Sequence, residues 1–302
     1  MEIIGAKTPD TQYRDILRSV IENGVRVPSQ QGIDCLRKVG VNMHFDLANG
    51  FPMITERNLN PVSAKIPPWK QAIGEICAFI NGARTQEELE KFGCLWWRKW
   101  VTAEKCAKRG LPPGDLGDGS YGDVFANFPT KDGGTWNQFQ HILEQLREFP
   151  HLRTHFITPW EPDCIIRGKG KKQRVVVAPC HGWIHFLTSP ETLTVHMIQR
   201  SADLVLGVPN NMVQYSALAL AVGHLLGYPN IHYVHSMSDA HIYIDHVDAV
   251  ELMLDREPRC FPDINLTEEG KGIGSIFDLR AKHFELEDYN PHPGIKNLTA
   301  AI

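Results

Sequence analysis

The chain has 302 residues, 42% of them hydrophobic and 22% charged, the balance of a soluble globular protein with room for one large domain or two small ones. Its net charge of −4 argues against wholesale binding of duplex DNA, while leaving space for a local basic pocket. The longest apolar run, Ala217 to Leu226, is too short to cross a bilayer and is broken by His224, so no membrane role is expected.

The start, Met1-Glu2-Ile3-Ile4, shows no basic stretch leading into an apolar core, and no secretory signal is expected. Seven cysteines without a CxxC pair read as reduced thiols of a cytoplasmic protein. Residues Asp10 to Glu22 predict a helix. Asp10 or Thr11 caps its start, Ile16, Leu17, Val20 and Ile21 form its apolar face, and Gly24 ends it. From Gly32 to Leu47, the alternation of Val39, Val41, Met43 and Phe45 predicts a half-buried strand. Pro67 and Pro68 mark a break before a helix carrying Glu75 and Phe79. The aromatic run Leu95 to Trp100 leads to a turn-rich loop, Gly114 to Gly122. That loop lacks the Lys-Ser/Thr ending of a phosphate-cradling P-loop.

Trp136 to Phe149 has helical spacing and stops at Pro150. A basic loop, Arg167 to Arg174, follows. Val175 to Val177, Trp183 to Leu187 and Leu193 to Gln199 predict strands, the last two joined by a turn at Ser189-Pro190-Glu191. Met212 to Leu226 is apolar on most faces and predicts a buried central helix. Tyr233 to Tyr243 predicts a strand running into a helix from His246 to Leu254. There is no repeat and no linker, and the elements lack a regular βαβ rhythm. The expectation is a single α+β domain spanning residues 1–302.

Three groups point to chemistry. Cys180 sits in Ala178-Pro179-Cys180-His181, Arg200 in Gln199-Arg200-Ser201-Ala202-Asp203, and Asn211 just after Leu206-Gly207-Val208-Pro209. A thiol nucleophile, a phosphate-seeking guanidinium and a carboxamide able to read a base edge fit covalent chemistry on a pyrimidine nucleotide. C6 of uracil is weakly electrophilic, so a thiolate is the natural attacker, and Arg200 is expected to favour it by lowering the thiol pKa. Free cysteines are most often small buried hydrophobes, and the other six are read that way. Strand alternation puts His232, His235, His241 and His246 on mixed faces, and there is no HExxH or Cys-rich partner set, so no metal is expected.

With these residues in view, the chain resembles thymidylate synthase, the folate-dependent family that methylates deoxyuridylate. Further matches are Phe51 to Thr55, Asp239 to Tyr243, Arg256 to Arg259 and Tyr289 to Lys296. The resemblance implies an α+β domain on a large twisted mixed sheet with flanking helices, and a homodimer whose subunits lend arginines to each other's sites. It implies Cys180, Glu75, Arg200, Tyr121 and His181 as the catalytic set. Glu75, in an otherwise apolar helix, would move protons with a raised pKa; read alone, it is an ordinary exposed helix glutamate.

Nucleotide contacts are implied for Arg153, given to the partner's phosphate site, and for Gln199, Ser201, Asn211, His241 and Tyr243. The Asn211 amide matches N3–H and O4 of uracil, whereas an aspartate would suit cytosine; by itself it also reads as a turn residue after Pro209. The cosubstrate 5,10-methylenetetrahydrofolate would meet Trp97, Trp100, Asp203, Gly207, Asn210 and the tail residues Ala300, Ala301 and Ile302. Trp100 reads equally well as core packing. No nucleic-acid partner is implied.

Four positions depart from the family pattern. Gln30 and Thr154 stand where phosphate arginines are expected, Asn210 replaces a phenylalanine, and Trp96 replaces a smaller aliphatic. Two missing guanidinium contacts weaken a dianion site by about 2–4 kcal/mol unless replaced. Arg37, Lys38 and the Arg167–Arg174 loop are the candidate replacements, although the loop reads first as a solvated hairpin. The departures keep open a pyrimidine nucleotide 5-hydroxymethylase, in which water takes the place of hydride. A silent nucleotide- or RNA-binding relative is a third reading, disfavoured because binding needs no thiol.

Overall fold

The computed structural model describes residues 6–301, so Met1-Glu2-Ile3-Ile4 and the tail residue Ile302 lie outside the described residues. Alternating sequence builds the sheet. Its strands are β1 (Val25–Val27), β2 (Cys35–Asp46), then, after the separate small hairpin of β3 (Phe128–Pro129) and β4 (Thr135–Trp136), β5 (Phe156–Ile157), β6 (Trp183–Thr188), β7 (Thr192–Gln199), β8 (Ala202–Asp203) and β9 (Asn230–Tyr243). The order across the sheet is β1-β2-β9-β7-β6-β5, with β8 also on β9. β9 runs antiparallel to β2 and parallel to β7 and β8, which makes the sheet mixed. The α+β class is as the order of elements predicts, and the large mixed sheet is as the resemblance implies.

One face is the core face. Met43, Phe45, Tyr233, His235, Met237, Val195, Met197, Ile184 and Phe186 alternate inward and are buried. Against it packs the helix Gly207–Leu226, buried on most sides, which in turn packs on the helix Pro68–Ile80. Apolar residues removed from water along these surfaces are the main stabilising term. The other face places Phe156, His185, His196, Val234 and His44 in one cross-strand row, half-buried or exposed.

The central helix begins at Gly207, five residues ahead of its predicted start. Pro209 falls in its first turn, where the missing N–H costs no intrahelical bond. Asn211 is therefore a helical residue and not a turn residue. Gly227 closes the helix in the left-handed conformation at φ +77°. The predicted strand Val175–Val177 does not form. β5 occupies the sheet edge beside β6, and the run pairs only through Val175 with Gly117. Asp10 supports the start of the first helix, Gln12–Asn23, by accepting from the Gln12 N–H at 3.0 Å. All seven cysteines are free. Among the described residues, no helix is long and apolar enough to cross a membrane.

Candidate functional site

Cys180 lies in the loop entering β6 and is partly exposed. Gly182 turns that loop at φ +97°, and a Cβ there would sit 3.0 Å from the Tyr215 hydroxyl and 3.1 Å from the Phe125 ring. Only glycine takes both the conformation and the space. The Arg200 N–H donates to the Cys180 carbonyl at 2.8 Å, and the Cys180 N–H donates to the Tyr121 hydroxyl at 2.6 Å. The Arg200 guanidinium donates to the carbonyls of Pro179 at 2.7 Å and Ala178 at 2.9 Å, and its Nη2 lies 3.6 Å from Cys180 Sγ. The guanidinium thus stands where the sequence places it. Burial nevertheless pushes the thiol up by more than Arg200 pulls it down, so the thiolate is not the resting form expected.

Beside it, Tyr121 stacks on His181 with centroids 4.6 Å apart, and His181 Nδ1 pairs with the Tyr215 hydroxyl at 2.7 Å. Burial pushes His181 down to about 3, so the ring is neutral, and it holds Tyr121 and Tyr215 in their protonated forms.

Glu75 projects from the helix Pro68–Ile80, which starts on Pro68 at its first turn. The preceding residue explains what surrounds it. A Cβ on Gly74 would fall 2.3 Å from the Phe92 carbonyl, so glycine lets the Phe92–Trp97 segment lie against the helix. Glu75 Oε1 then accepts from the indole N–H of Trp96 at 2.7 Å and of Trp97 at 2.5 Å, with Cys94 Sγ at 3.9 Å. Oε2 accepts from Gln214 Nε2 at 3.0 Å. Burial raises the carboxyl pKa against the pull of these donors.

From Gln214 the contacts run on. Asn211 Nδ2 donates to Gln214 Oε1 at 3.1 Å, Gln199 Nε2 donates to Asn211 Oδ1 at 3.1 Å, and His235 Nε2 meets Gln199 Oε1 at 2.8 Å. Because that oxygen only accepts, His235 Nε2 carries the proton. All four side chains are buried.

Strand register brings the remaining groups to the same face. Asp203 of β8 sits opposite His241 of β9, and Arg37 of β2 sits opposite His241 on its other side. His241 Nδ1 faces Asp239 at 3.2 Å and packs edge-on to Tyr243. Among the described residues, His241 Nε2, the Tyr243 hydroxyl, the Ser201 hydroxyl and the Arg37 guanidinium make no bond within the chain and remain available. Asp203 Oδ1 accepts from the N–H groups of Val205 and Leu206, and its second oxygen is unengaged. Gly207 leaves room for a Cβ as far as the protein itself goes, its nearest neighbour being 3.6 Å away. Asn210 Nδ2 donates to the Leu206 carbonyl at 2.8 Å, while its Oδ1 is buried without a partner. Trp97 is buried against Phe79 and Tyr121, and Trp100 is half-buried under Lys105. The tail is tied down where the Thr299 carbonyl meets His246 Nε2 at 3.0 Å, leaving Ala301 half-buried.

Not every predicted residue joins this group. Arg153 is exposed in the turn before β5, where only its carbonyl is engaged, by His185. Gln30 and Thr154 are exposed. Lys38 is bonded to Ser19, and in the basic loop Arg174 pairs with Asp163 while Arg167 holds Gln173. Of the proposed replacement cations, Arg37 alone borders the site. Gln214 and Trp96 do what sequence reasoning did not assign them. Gln214 stands out as an amide three residues after Asn211 in an apolar helix, and an indole N–H in a half-buried position needs an acceptor. Among the described residues, no three His, Cys, Asp or Glu side chains cluster as a metal site. A family model described as thymidylate synthase matches residues 11–301.

Proposed function

Because the chain belongs to the thymidylate synthase family of one-carbon transferases, we propose that it methylates C5 of deoxyuridylate through a covalent adduct between Cys180 and C6 of the base. The observation that carries the proposal is the Cys180–Arg200 pair, 3.6 Å apart, joined through His181 and Tyr215 to the helix that bears Asn211 and Gln214, the latter bonded to Glu75. Cys180 Sγ adds to C6, which makes C5 nucleophilic toward the one-carbon unit. The thiol is held up by burial, so it gives its proton to solvent water as the nucleotide arrives, with Arg200 stabilising the developing thiolate. Tyr121 fixes the nucleophile's backbone. Asn211 reads the base edge, His241 and Tyr243 take the sugar hydroxyl, and Arg200, Ser201 and Arg37 take the phosphate. Glu75 holds and releases the proton exchanged at the base.

The residues present fit a folate. The unpartnered Asn210 Oδ1 and the unengaged Asp203 oxygen offer hydrogen bonds to a flat heteroaromatic, and Gly207, with no side chain, lets it approach the backbone. Trp97, Trp100 and Ala301 would complete its walls. When bound, methylenetetrahydrofolate supplies the one-carbon unit and the hydride. The same Asn210 oxygen favours a second reading, 5-hydroxymethylation, because it can position a water where the family pattern has an apolar ring. The test is the mass of the product formed from deoxyuridylate and methylenetetrahydrofolate. A methylated nucleotide with dihydrofolate supports the synthase; a nucleotide heavier by one oxygen supports the hydroxymethylase; no product contradicts both.

A further inference from the structure

We propose that Trp96 is a positioning residue for the proton exchange: its indole fills the second lone pair of Glu75 Oε1, so that Glu75 takes up and gives back a proton through Oε2 alone. The inference rests on the enzyme reading above and extends it to a position at which this chain departs from the family pattern.

A carboxylate presents two oxygens with two lone pairs each. The Trp97 indole N–H takes one on Oε1 at 2.5 Å, and the Trp96 indole N–H takes the other at 2.7 Å, with the Cys94 thiol beyond them at 3.9 Å. Oε2 accepts one N–H, from Gln214 Nε2 at 3.0 Å. That last bond has a fixed direction. Gln199 Nε2 gives one hydrogen to the Ser201 carbonyl at 2.9 Å and the other to Asn211 Oδ1 at 3.1 Å, while its Oε1 accepts from His235 at 2.8 Å. Asn211 must then turn its NH₂ to Gln214 Oε1, which leaves Gln214 its own NH₂ for Glu75. An amide turned round would leave buried polar atoms unsatisfied. An indole N–H only donates, so neither tryptophan can accept a proton from Oε1. Among the described residues, one lone pair of the four is left, on Oε2, and a proton on Glu75 has that place.

Trp96 touches solvent, whereas Glu75 and Trp97 are buried. An aliphatic side chain, as in the family pattern, has no N–H to give, and the second lone pair of Oε1 would then take a water or the proton itself. With the indole in place the reacting proton is confined to one oxygen. When the base gives up a proton, an O–H bond forms at Oε2, the electron pair of the broken bond stays on the base, and the carboxyl becomes neutral. The return runs through the same bonds in reverse. Holding the acceptor atom in one place is what makes such a transfer efficient.

The other titratable groups around Glu75 do not compete. Cys94 in the segment before Trp96, Tyr121 in the helix Tyr121–Ala126 and Tyr215 in the central helix face Glu75, and burial keeps all three protonated. His181, between the two tyrosines, is pushed down to about 3 and stays neutral. Glu90, on the helix Gln86–Lys91 before Cys94, is paired with Arg98 at 2.6 Å. Glu75, with its carboxyl raised by burial against the pull of its donors, is the group whose protonation changes.

The experiment sets Trp96→Phe, which keeps an aromatic ring and removes the N–H, and Trp96→Leu beside the wild type, with circular dichroism to confirm folding. Carbon NMR of glutamate labelled at the side-chain carboxyl, with the Glu75→Gln protein to assign the resonance, gives the Glu75 midpoint in each. Turnover of deoxyuridylate with methylenetetrahydrofolate gives kcat and KM across the same pH series. Loss of a donor to the charged form is expected to move the midpoint up by about one pH unit, and the limb of the kcat profile set by Glu75 up by the same amount. At the optimum pH, kcat is expected to fall by about tenfold while the nucleotide KM stays within about twofold. An indole that had merely found an acceptor would leave the limb in place. A folded, active Trp96 variant with the wild-type midpoint or the wild-type limb overturns the role of Trp96 and leaves the enzyme reading standing. No product from the wild-type protein overturns the enzyme reading, and the NMR midpoints, which need no turnover, tell that failure from this one.

Discussion

At the scale of single residues, the account turns on what burial does to Glu75. Desolvation raises its carboxyl above the ordinary value of 4.5, so the folded chain keeps a proton that the unfolded chain has lost. Its contribution to stability is full below the unfolded pKa and is lost as pH rises through the folded one. Glu75→Gln removes that dependence. The urea midpoint of the variant relative to wild type should therefore climb as pH rises above about 4.5, while turnover falls by about 10²–10⁴-fold. A second prediction concerns Arg37. Arg37→Ala should weaken nucleotide binding by about tenfold or more and leave binding of the uncharged nucleoside unchanged, measured side by side by calorimetry. Cys180, Arg200 and Asn211 were legible because their residue types name a chemistry. Arg37 as a site residue was less so, since its neighbour His241 is some two hundred positions away and only strand register joins them. The upward pKa of Cys180 was not legible at all, because a motif shows the guanidinium but not the depth of the pocket.

At the scale of elements, the helix Pro68–Ile80 and the aromatic segment after it work as one unit because Gly74 lets them touch. Gly74→Ala sets two effects against each other. The helix gains up to about 1 kcal/mol in propensity, while a Cβ at 2.3 Å from the Phe92 carbonyl forces the segment away at about 1–3 kcal/mol. The clash should win, giving a lower melting temperature together with lost turnover as Trp96 and Trp97 leave Glu75. Local pattern made the long elements readable: Met43 and Phe45 alternate along β2, and Pro68 opens its helix. It failed where tertiary partners decide. Val175 to Val177 has strand composition, but β5 takes the place beside β6 and Val175 bridges Gly117 instead, and the central helix starts before Pro209 because a first-turn proline breaks nothing.

At the scale of the whole molecule, the half-buried row His185, His196 and Val234 offers a second sheet face, and Arg153, whose carbonyl meets His185, stands exposed at its edge. Both features agree with the proposed homodimer in which arginines cross between subunits. Sedimentation should give twice the mass of one chain. Mixing Arg153→Ala with Cys180→Ala subunits should restore activity that neither has alone, since the mixed dimer holds one intact site; an arginine acting within its own chain would give no restoration. Beneath all of this lies the sulfur–carbon bond at Cys180. The most direct test is nucleotide turnover by the Cys180→Ala protein with deoxyuridylate and methylenetetrahydrofolate, beside the wild type. The account predicts a loss of about 10⁴-fold or more in a folded variant; a variant that turns over at the wild-type rate would contradict it.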